Sequence, residues 1–296
     1  MKTLIITNSY DVTSDLIISH VGHENIFRLN FDLLSDYSIY INSETFSISS
    51  PQKKIYENEI SKVYWRKPFN TKNNTEYYEL VERKQMLKQI FNILFDKGKA
   101  ILVNPHKESS IGKLLQLRTA NNFFKVPEWE MIFNQKSKFT ECITKSLSSS
   151  IIGIDKILYS TKVITNELDT SECWHLQKYI KKEKDLTVVY IYGEIYAFEL
   201  EGIFNQIDWR KDQIANTKKW ELHKINPHLS NSIDNYMKKL NLDYGRLDFV
   251  ITKDEYFFLE VNINGQWAFL DTQNEYGLLS AMSKYIHPLT VTKFLK

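Results

Sequence analysis

The sequence predicts a mixed α/β protein of three lobes, and three features indicate this architecture. The first part of the chain alternates between short apolar strands and an amphipathic helix, which is typical of an α/β lobe. The middle carries a run of short strands, which predicts a small antiparallel lobe. Near the carboxyl end, a strand pair lies between two helical segments. The predicted lobes are 1–105, 106–193 and 194–296.

Length and composition favour a folded chain with a substantial core. The 296 residues are 43% hydrophobic, and the net charge of +2 gives no electrostatic case for a nucleic-acid scaffold. Cys142 and Cys173 lack metal-type spacing and are too few for a disulfide framework. No apolar run approaches the ~18 residues of a membrane span, and the N-terminus lacks a signal-peptide pattern. We therefore expect a cytoplasmic protein with neither a membrane nor a nucleic acid as partner.

The first lobe is predicted from the order of its apolar segments. Residues 37–49 alternate like a hairpin, and residues 75–97 have a helical apolar period that ends at Gly98. The other expected strands are 3–7, 26–31, 61–65 and 100–103.

The remaining chain is predicted in the same way. Residues 107–123 are expected to form one helix that carries Lys113, and helices at 228–241 and 275–286 flank a strand pair at 244–262. The small antiparallel lobe is expected to contain strands at 129–133, 142–145, 157–165, 174–180, 186–192 and 194–200.

Residues 244–267, YGRLDFVITKDEYFFLEVNINGQW, carry the strongest chemical pattern. They predict two antiparallel strands, in which alternate residues share a face and directly opposed residues also share one. If the connecting loop holds an odd number of residues, one face gathers Arg246, Asp248, Glu260 and Asn262. The other face then gathers Leu247, Phe249, Ile251, Phe257, Leu259 and Val261.

This polar set has the composition of a magnesium site. Two carboxylates and an amide oxygen are hard ligands, and nucleotide phosphates could complete an octahedron around Mg²⁺. Like-charged carboxylates on one face also repel each other unless a cation lies between them. The alternative is an ordinary hairpin with a solvated polar face.

The pattern R-x-D-F…L-E-V-N-x-N-G resembles the metal-binding end of ATP-grasp ligases. The resemblance implies an ATP-grasp fold with an N-terminal α/β lobe, a small antiparallel ATP lobe and a C-terminal catalytic lobe. It implies that Asp248, Glu260 and Asn262 hold two magnesium ions that bridge the phosphates of ATP. Arg246 would contact phosphate or the acyl-phosphate intermediate.

Three further segments resemble the ATP-binding parts of the same family. Residues 112–127 are similar to its lysine-bearing helix, residues 142–146 to the strand with its second ATP lysine, and residues 176–180 to the hinge whose backbone holds adenine. Two acidic residues after the hinge would hold the ribose hydroxyls. The resemblance thus assigns the nucleotide to Lys113, Lys145, Gln177, Lys178, Tyr179, Ile180, Glu183 and Asp185.

The chain is more similar to the microviridin-type, or graspetide, peptide ligases. Residues 63–68 (VYWRKP) and the ending NINGQW resemble motifs of that subgroup, and Asp208-Trp209-Arg210 matches its D-x-R motif. The resemblance implies that Asp208 and Arg210 handle the acceptor carboxylate. It also implies a ribosomally made precursor peptide as partner, with its leader on the first lobe, and a homodimer.

Two departures from the family pattern leave roles open. Only Gly153 remains of the usual glycine-rich phosphate loop, and Thr187 stands where an arginine often follows the hinge. Arg210 could therefore serve the γ-phosphate instead of, or beside, the acceptor. No general base is assigned, although His106, His175 and His223 were considered.

Three alternative functions would use some of the same predicted residues. The chain could be an ATP-grasp ligase that acts on a small molecule or a protein tail, with the same ATP residues. It could be a non-catalytic nucleotide-binding relative, although the intact metal set argues against this. A phosphotransferase is the third alternative, and it would release a phosphorylated product.

Overall fold

A computed structural model describes most of the chain. The described residues are 1–69, 77–147, 151–152, 156–157, 160–201, 207, 219–253 and 255–289. By internal contacts the chain divides into two compact units, one of Met1–Glu108 with Gln266–Lys296 and one of Ser109–Gly265. The three-lobe organisation remains a prediction. Across the described ranges, every helix is too short or too polar to cross a membrane.

The first unit contains a parallel sheet and a hairpin sheet. Its elements are β1 (Lys2–Thr7), α1 (Val12–Val21), β2 (Ile26–Asn30), β3 (Ser38–Ile41), β4 (Phe46–Ser49), β5 (Lys54–Tyr56), β6 (Ile60–Trp65), α2 (Tyr77–Asp96), β7 (Ala100–Leu102), α3 (Pro105–Ser110) and, near the carboxyl end, α6 (Leu278–Ile286). The parallel sheet has the order β2-β1-β6-β7, and β4 pairs with β3 and β5 in the hairpin sheet. The predicted strands, hairpin and long helix of this region are confirmed.

The helical period of α2 explains how this unit is packed. Leu87, Ile90, Phe91 and Leu94 are fully buried and join the apolar side chains of the parallel sheet in one core. Residues three and four apart share one side of a helix, so this stripe covers the sheet while the opposite side remains polar.

The second unit contains two antiparallel sheets. Its elements are α4 (Lys113–Ala120), β8 (Trp129–Ile132), β9 (Glu141–Thr144), β10 (Ile151–Ile152), β11 (Lys156–Ile157), β12 (Thr161–Ile164), β13 (Trp174–Gln177), β14 (Lys184–Ile191), β15 (Glu194–Glu201), β16 (Glu221–Leu222), α5 (Pro227–Lys239), β17 (Tyr244–Thr252) and β18 (Glu255–Asn262). The small sheet has the order β12-β9-β13-β8, and the large sheet has the order β16-β15-β14-β17-β18. A two-stranded pair, β10 and β11, is separate.

Two predictions about this part of the chain are wrong. The single helix predicted over 107–123 is interrupted at Gly112, whose extended backbone lets α4 begin anew at Lys113. The strands predicted at 186–192 and 194–200 belong to the large sheet rather than to the small lobe. The reason is that β14 pairs with β17 along its whole length, which buries its apolar face in the same core as that of β17.

Candidate active site

The register of β17 and β18 brings the predicted polar set together. Arg246 pairs with Asn262, and Asp248 pairs with Glu260, so all four side chains lie on one face of the large sheet. We call these four residues the carboxylate face. Its shared orientation is confirmed, but the condition of an odd-numbered loop is not met. Thr252 pairs with Glu255, so only residues 253 and 254 connect the strands.

A β-bulge reconciles the short connection with the shared face. The register shifts between Asp248 and Phe249, which leaves Leu259 as an extra residue in β18. One extra residue reverses the alternation on the side of the turn. Phe258 therefore takes the core position beside Phe249, with the two ring centroids 5.5 Å apart. The predicted core positions of Phe257 and Leu259 are wrong, since both are only half-buried and lie outside that cluster.

The segment after β18 is held close to the carboxylate face. A Cβ atom at Gly265 would lie 2.6 Å from the Cβ of Arg246 and 3.2 Å from the carbonyl oxygen of Asn262. Such contacts exclude any side chain, so glycine serves here for close approach rather than for an unusual backbone angle. The Tyr244 hydroxyl also donates to the carbonyl of Gly265 at 2.7 Å.

Both carboxylate oxygens of Asp248 accept hydrogen bonds. The Thr187 hydroxyl donates to Oδ1 at 2.8 Å. The Arg246 guanidinium at 3.1 Å and the Asn262 Nδ2 at 2.8 Å donate to Oδ2. Burial lowers the pKa of Arg246, but the charge and hydrogen bond of Asp248, together with the charge of Glu260, outweigh burial and raise that pKa. Arg246 therefore remains a cation. Thr187 stands where an arginine was expected, and its hydroxyl holds Asp248 in place.

Glu260 is ionised and paired with a lysine. Its Oε2 lies 3.3 Å from the Nζ of Lys113, which also donates to the carbonyl of Ser146 at 2.8 Å. Burial raises the pKa of Glu260, but the charges of Lys113 and Lys145 together lower it below its usual value. Two of the predicted ATP lysines therefore act on one carboxylate of the predicted metal set.

Gln116 fixes the position of Lys113, and the sequence analysis did not assign it a role. Its side-chain oxygen accepts the backbone N–H of Val261 at 3.1 Å, and its Nε2 donates to the carbonyl of Ile111 at 3.2 Å. The first contact joins α4 directly to β18, between Glu260 and Asn262. Its place one turn after Lys113, within the segment 112–127 that resembles the family's lysine-bearing helix, was the signal that could have revealed it.

The donor set of the carboxylate face fits a magnesium ion that also binds phosphate. The Nδ2 of Asn262 lies 2.8 Å from an oxygen of Asp248 and 3.4 Å from an oxygen of Glu260, so a positively polarised group already bridges the two carboxylates. Turning the amide would present its oxygen instead. Within the described ranges, no group of three or more His, Cys, Asp or Glu residues is suited to hold a metal. Phosphate and water would therefore supply the remaining ligands, as is usual for Mg²⁺.

Apart from Lys113 at the start of α4, the predicted nucleotide residues lie at or just beyond the ends of β9 and β13 and at the start of β14. Lys145 directly follows β9, and its backbone N–H donates to the carbonyl of His175 at 3.0 Å. Gln177 is buried at the end of β13, while Lys178 and Tyr179 are exposed beyond it and Ile180 is half-buried. The Lys178 side chain pairs with Glu128 at 3.0 Å.

The two acidic residues predicted to hold ribose have different surroundings. Glu183 is exposed and accepts the backbone N–H of Lys253 at 3.2 Å. Asp185 is buried, and its carboxylate pairs with Lys182 at 2.6 Å. Asp185 lies two residues before Thr187 on β14, so it faces the same side of the sheet as Asp248. Glu183 is the more accessible of the two.

His175 and Gln177 form an unusual pair on β13. Only 3% of His175 and 1% of Gln177 is exposed. Among the described residues, none hydrogen-bonds to either ring nitrogen of His175 or to either amide atom of Gln177. Burial lowers the pKa of His175 to about 4, and the charges of Lys145 and Lys113 contribute, so the ring is neutral at pH 7. We call these two residues the β13 polar pair.

The other two histidines considered as general bases have protein partners. His223 contacts Glu199 at 2.5 Å and the Tyr256 hydroxyl at 3.1 Å. His106 contacts Asn92 at 2.7 Å in the first unit. Asp208 and Arg210, predicted to handle the acceptor, lie outside the described residues.

Among known proteins, solved structures with a similar fold match this chain. No protein-family model matches the chain, and a search of curated proteins finds no match. Solved structures do match along its length. A RiPP-associated ATP-grasp ligase of Chryseobacterium gregarium, in complex with ADP and a leader and core peptide, is 23% identical over 98% of this chain and 96% of that one, with a TM-score of 0.79.

Two other solved structures show how far the likeness extends. The macrocyclase MdnC of Microcystis aeruginosa MRC, bound with the precursor peptide MdnA, is 21% identical over 97% of this chain and 99% of that one, with a TM-score of 0.81. A D-alanine–D-alanine ligase of Bacillus anthracis, complexed with ATP, is 12% identical over 98% and 96%, with a TM-score of 0.55. The predicted fold class is confirmed: the chain has the ATP-grasp fold.

Proposed function

We propose that the chain is an ATP-dependent ligase that cross-links a ribosomally made precursor peptide. It would activate Asp or Glu side chains of the peptide as acyl phosphates and join them to Ser or Thr hydroxyls or to Lys amines of the same peptide. The observation that carries this proposal is the carboxylate face. There two carboxylates and an amide converge beside Lys113, as a magnesium-bound triphosphate requires.

The comparisons support a peptide as the substrate rather than a small molecule. Two ligases whose structures contain precursor peptides match this chain over almost their whole lengths, with TM-scores of 0.79 and 0.81. The D-alanine–D-alanine ligase covers the chain equally well but with a TM-score of only 0.55. By TM-score, the fold of this chain is therefore more similar to those of the two peptide-bound ligases.

The chain's own residues suit phosphoryl transfer. Asp248, Glu260 and Asn262 would hold magnesium ions, two by family resemblance, which compensate phosphate charge when bound. Lys113 and Lys145 place positive charge beside Glu260, where they could also neutralise part of the charge of a triphosphate. Loose, charge-spread phosphoryl transfer needs such positioning and compensation more than covalent help from the protein.

The proposed reaction has two steps. A peptide carboxylate oxygen attacks the γ-phosphorus of ATP, and the bond to the leaving oxygen of ADP breaks, which gives an acyl phosphate. A hydroxyl or amine then attacks the acyl carbon, loses its proton, and displaces inorganic phosphate. Arg246 is proposed to stabilise the phosphate groups, and Asp208 and Arg210 to position the acceptor carboxylate.

Mass spectrometry of a precursor peptide co-expressed with this chain tests the proposal. The candidate peptide is encoded near the gene and is rich in Thr, Ser, Lys, Asp and Glu. We expect its mass to fall by one water for each link, and we expect no loss with the Glu260→Gln variant. A phosphorylated peptide would indicate a phosphotransferase instead, and an unchanged peptide in the presence of ATP hydrolysis would contradict peptide cross-linking.

A further inference from the structure

The start of β14 carries a buried ion pair. The Nζ of Lys182 lies 2.6 Å from Oδ2 of Asp185, and only 6% and 10% of the two side chains are exposed. In the sheet, Asp185 lies between Leu200 of β15 and Val250 of β17, which are both buried. Its carboxylate therefore has apolar neighbours, and an unpaired charge there would be strongly unfavourable.

The ammonium group of Lys182 makes a second contact outside the strand. It donates to the backbone carbonyl of Ile207 at 3.2 Å. Ile207 lies beyond Glu201, the last residue of β15. A lysine ammonium has three N–H donors, so one side chain can bind a carboxylate and a carbonyl at the same time. Lys182 thereby connects the start of β14 to the chain that follows β15.

The neighbouring lysines have other surroundings. Lys181 is exposed. Lys184 pairs with Glu201 at 3.2 Å, directly opposite it on β15. That contact supports the pairing of the two strands, as cross-strand ion pairs commonly do. The contact of Lys182 with Ile207 instead fixes backbone that lies outside the sheet.

The fixed backbone directly precedes the predicted acceptor motif. Ile207 is followed by Asp208-Trp209-Arg210, the segment that family resemblance assigns to the acceptor. Consecutive Cα atoms are about 3.8 Å apart, so the position of residue 207 limits where Asp208 and Arg210 can lie. A charged donor holds a carbonyl more strongly than a neutral donor does, which suits Lys182 to this task.

Stability alone does not account for the pair. Removing two charges from water opposes folding, and apolar side chains of similar size often replace a buried ion pair without loss of stability. Apolar side chains could therefore close the start of β14. They could not hold the carbonyl of Ile207, which needs a donor.

We propose that Lys182 is a positioning residue for the acceptor step and that Asp185 holds its ammonium group in place. The pair would fix the chain at Ile207, directly before the segment proposed to position the acceptor carboxylate. Lys182 itself would touch neither the nucleotide nor the peptide. This inference rests on the proposed function, because it needs a peptide substrate. It also gives Asp185 a role other than the contact with ribose that family resemblance implied.

Steady-state kinetics of the full chain test the role of Lys182. The rate of cross-linking of the precursor peptide encoded near the gene is followed as loss of water by mass spectrometry, with either the peptide or ATP varied. Lys182→Met keeps the length of the side chain but removes its charge and donors. We expect kcat/KM for the peptide to fall about tenfold, which equals about 1.4 kcal/mol, while KM for ATP and the Kd of ADP change less than about twofold.

Two further variants are controls. Lys181→Met removes the adjacent exposed lysine and should behave like the wild type. Lys182→Arg keeps a positive charge and N–H donors, so it should retain more activity on the peptide than Lys182→Met.

A double variant separates positioning from folding. Lys182→Met alone leaves the Asp185 carboxylate buried without its partner, so its Tm should fall. Lys182→Met combined with Asp185→Leu removes both charges, and we expect its Tm to return towards that of the wild type. Its kcat/KM for the peptide should nevertheless remain about tenfold low, because the carbonyl of Ile207 still lacks its donor.

The outcomes separate this inference from the proposed function. A wild type that leaves the peptide unchanged would overturn both. A wild type that cross-links the peptide, with a double variant that is equally active or does not fold, would overturn the inference alone, because the pair would then serve only the structure. Equal losses for the peptide and for ATP would assign the pair to the nucleotide and would also overturn the inference.

Discussion

Two polar clusters of the second unit differ in how completely the protein satisfies them. On the carboxylate face, Asp248 accepts three hydrogen bonds and Glu260 pairs with Lys113. In the β13 polar pair, the polar atoms of His175 and Gln177 have no partner among the described residues. The first cluster is therefore held in place before any ligand arrives.

The two clusters should therefore respond differently to substitution. Preformed networks of charged groups position phosphates and cost no reorganisation during a reaction. Buried polar groups without a partner instead lower the stability of the folded state. Substitutions in the first cluster should damage turnover, whereas those in the second should change stability and its dependence on pH.

The largest expected effect is on the carboxylate face. Glu260→Gln removes the charge that faces Lys113 and Asp248, so turnover should fall about a thousandfold while the fold is retained. ADP release in the presence of peptide and the Tm measure the two properties. Glu255→Gln, an exposed position on the same strand, is the matched control and should retain activity. Near-normal turnover by Glu260→Gln would rule out the proposed metal role of this residue.

The second largest expected effect concerns His175 of the β13 polar pair. The free energy of unfolding should fall when the pH is lowered. The pKa of His175 is lowered to about 4 in the folded state, from an ordinary value of 6.5. The unfolded state therefore takes up a proton first, and stability falls as the pH drops from about 6.5 towards 4. At pH 5 this amounts to a loss on the order of 2 kcal/mol.

Urea unfolding at pH 7 and pH 5 measures this loss. His175→Phe should lose less stability than the wild type over that interval, whereas the exposed control His228→Phe should behave like the wild type. Equal losses in the wild type and His175→Phe would show that the ring is not held neutral by its surroundings.

The smallest expected effect concerns the orientation of Asp248. Thr187→Val removes the hydroxyl that donates to Oδ1 at 2.8 Å but keeps the shape of the side chain. A hydrogen bond to a charged group contributes about 1.5–3 kcal/mol, so we expect kcat to fall about tenfold or more. Thr187→Ser keeps the hydroxyl and should recover most of the activity. Equal activity of the Val and Ser variants would remove Thr187 from the site.

The sequence predicts much of the fold because its periodicities are strong. The apolar stripe of α2 and the alternation in β17 are both local patterns, so each element and its buried face follow from nearby residues. The shared face of Asp248 and Glu260 was predicted for an odd-numbered loop, whereas a two-residue connection and the bulge at Leu259 produce it. The sheet to which β14 belongs was not predicted, because strand pairing joins residues that are distant in the chain.

Details of the site depend on contacts that a linear pattern does not contain. The bulge at Leu259 is set by the pairing of the whole strands β17 and β18. No residue type near Leu259 predicts the shift in register. Thr187 looked like the loss of a family arginine, and only the register with Asp248 shows its hydrogen bond. The lack of partners around His175 is likewise a property of packing.

Manganese binding tests the carboxylate face most directly, because Mn²⁺ replaces Mg²⁺ at such oxygen sites and can be followed by its electron paramagnetic resonance. The free Mn²⁺ signal is titrated with protein in the presence of ADP. We expect the wild type to remove the signal, and we expect Asp248→Asn and Glu260→Gln to weaken Mn²⁺ binding about tenfold or more. Equal Mn²⁺ affinities of the wild type and both variants would contradict a metal site on the carboxylate face.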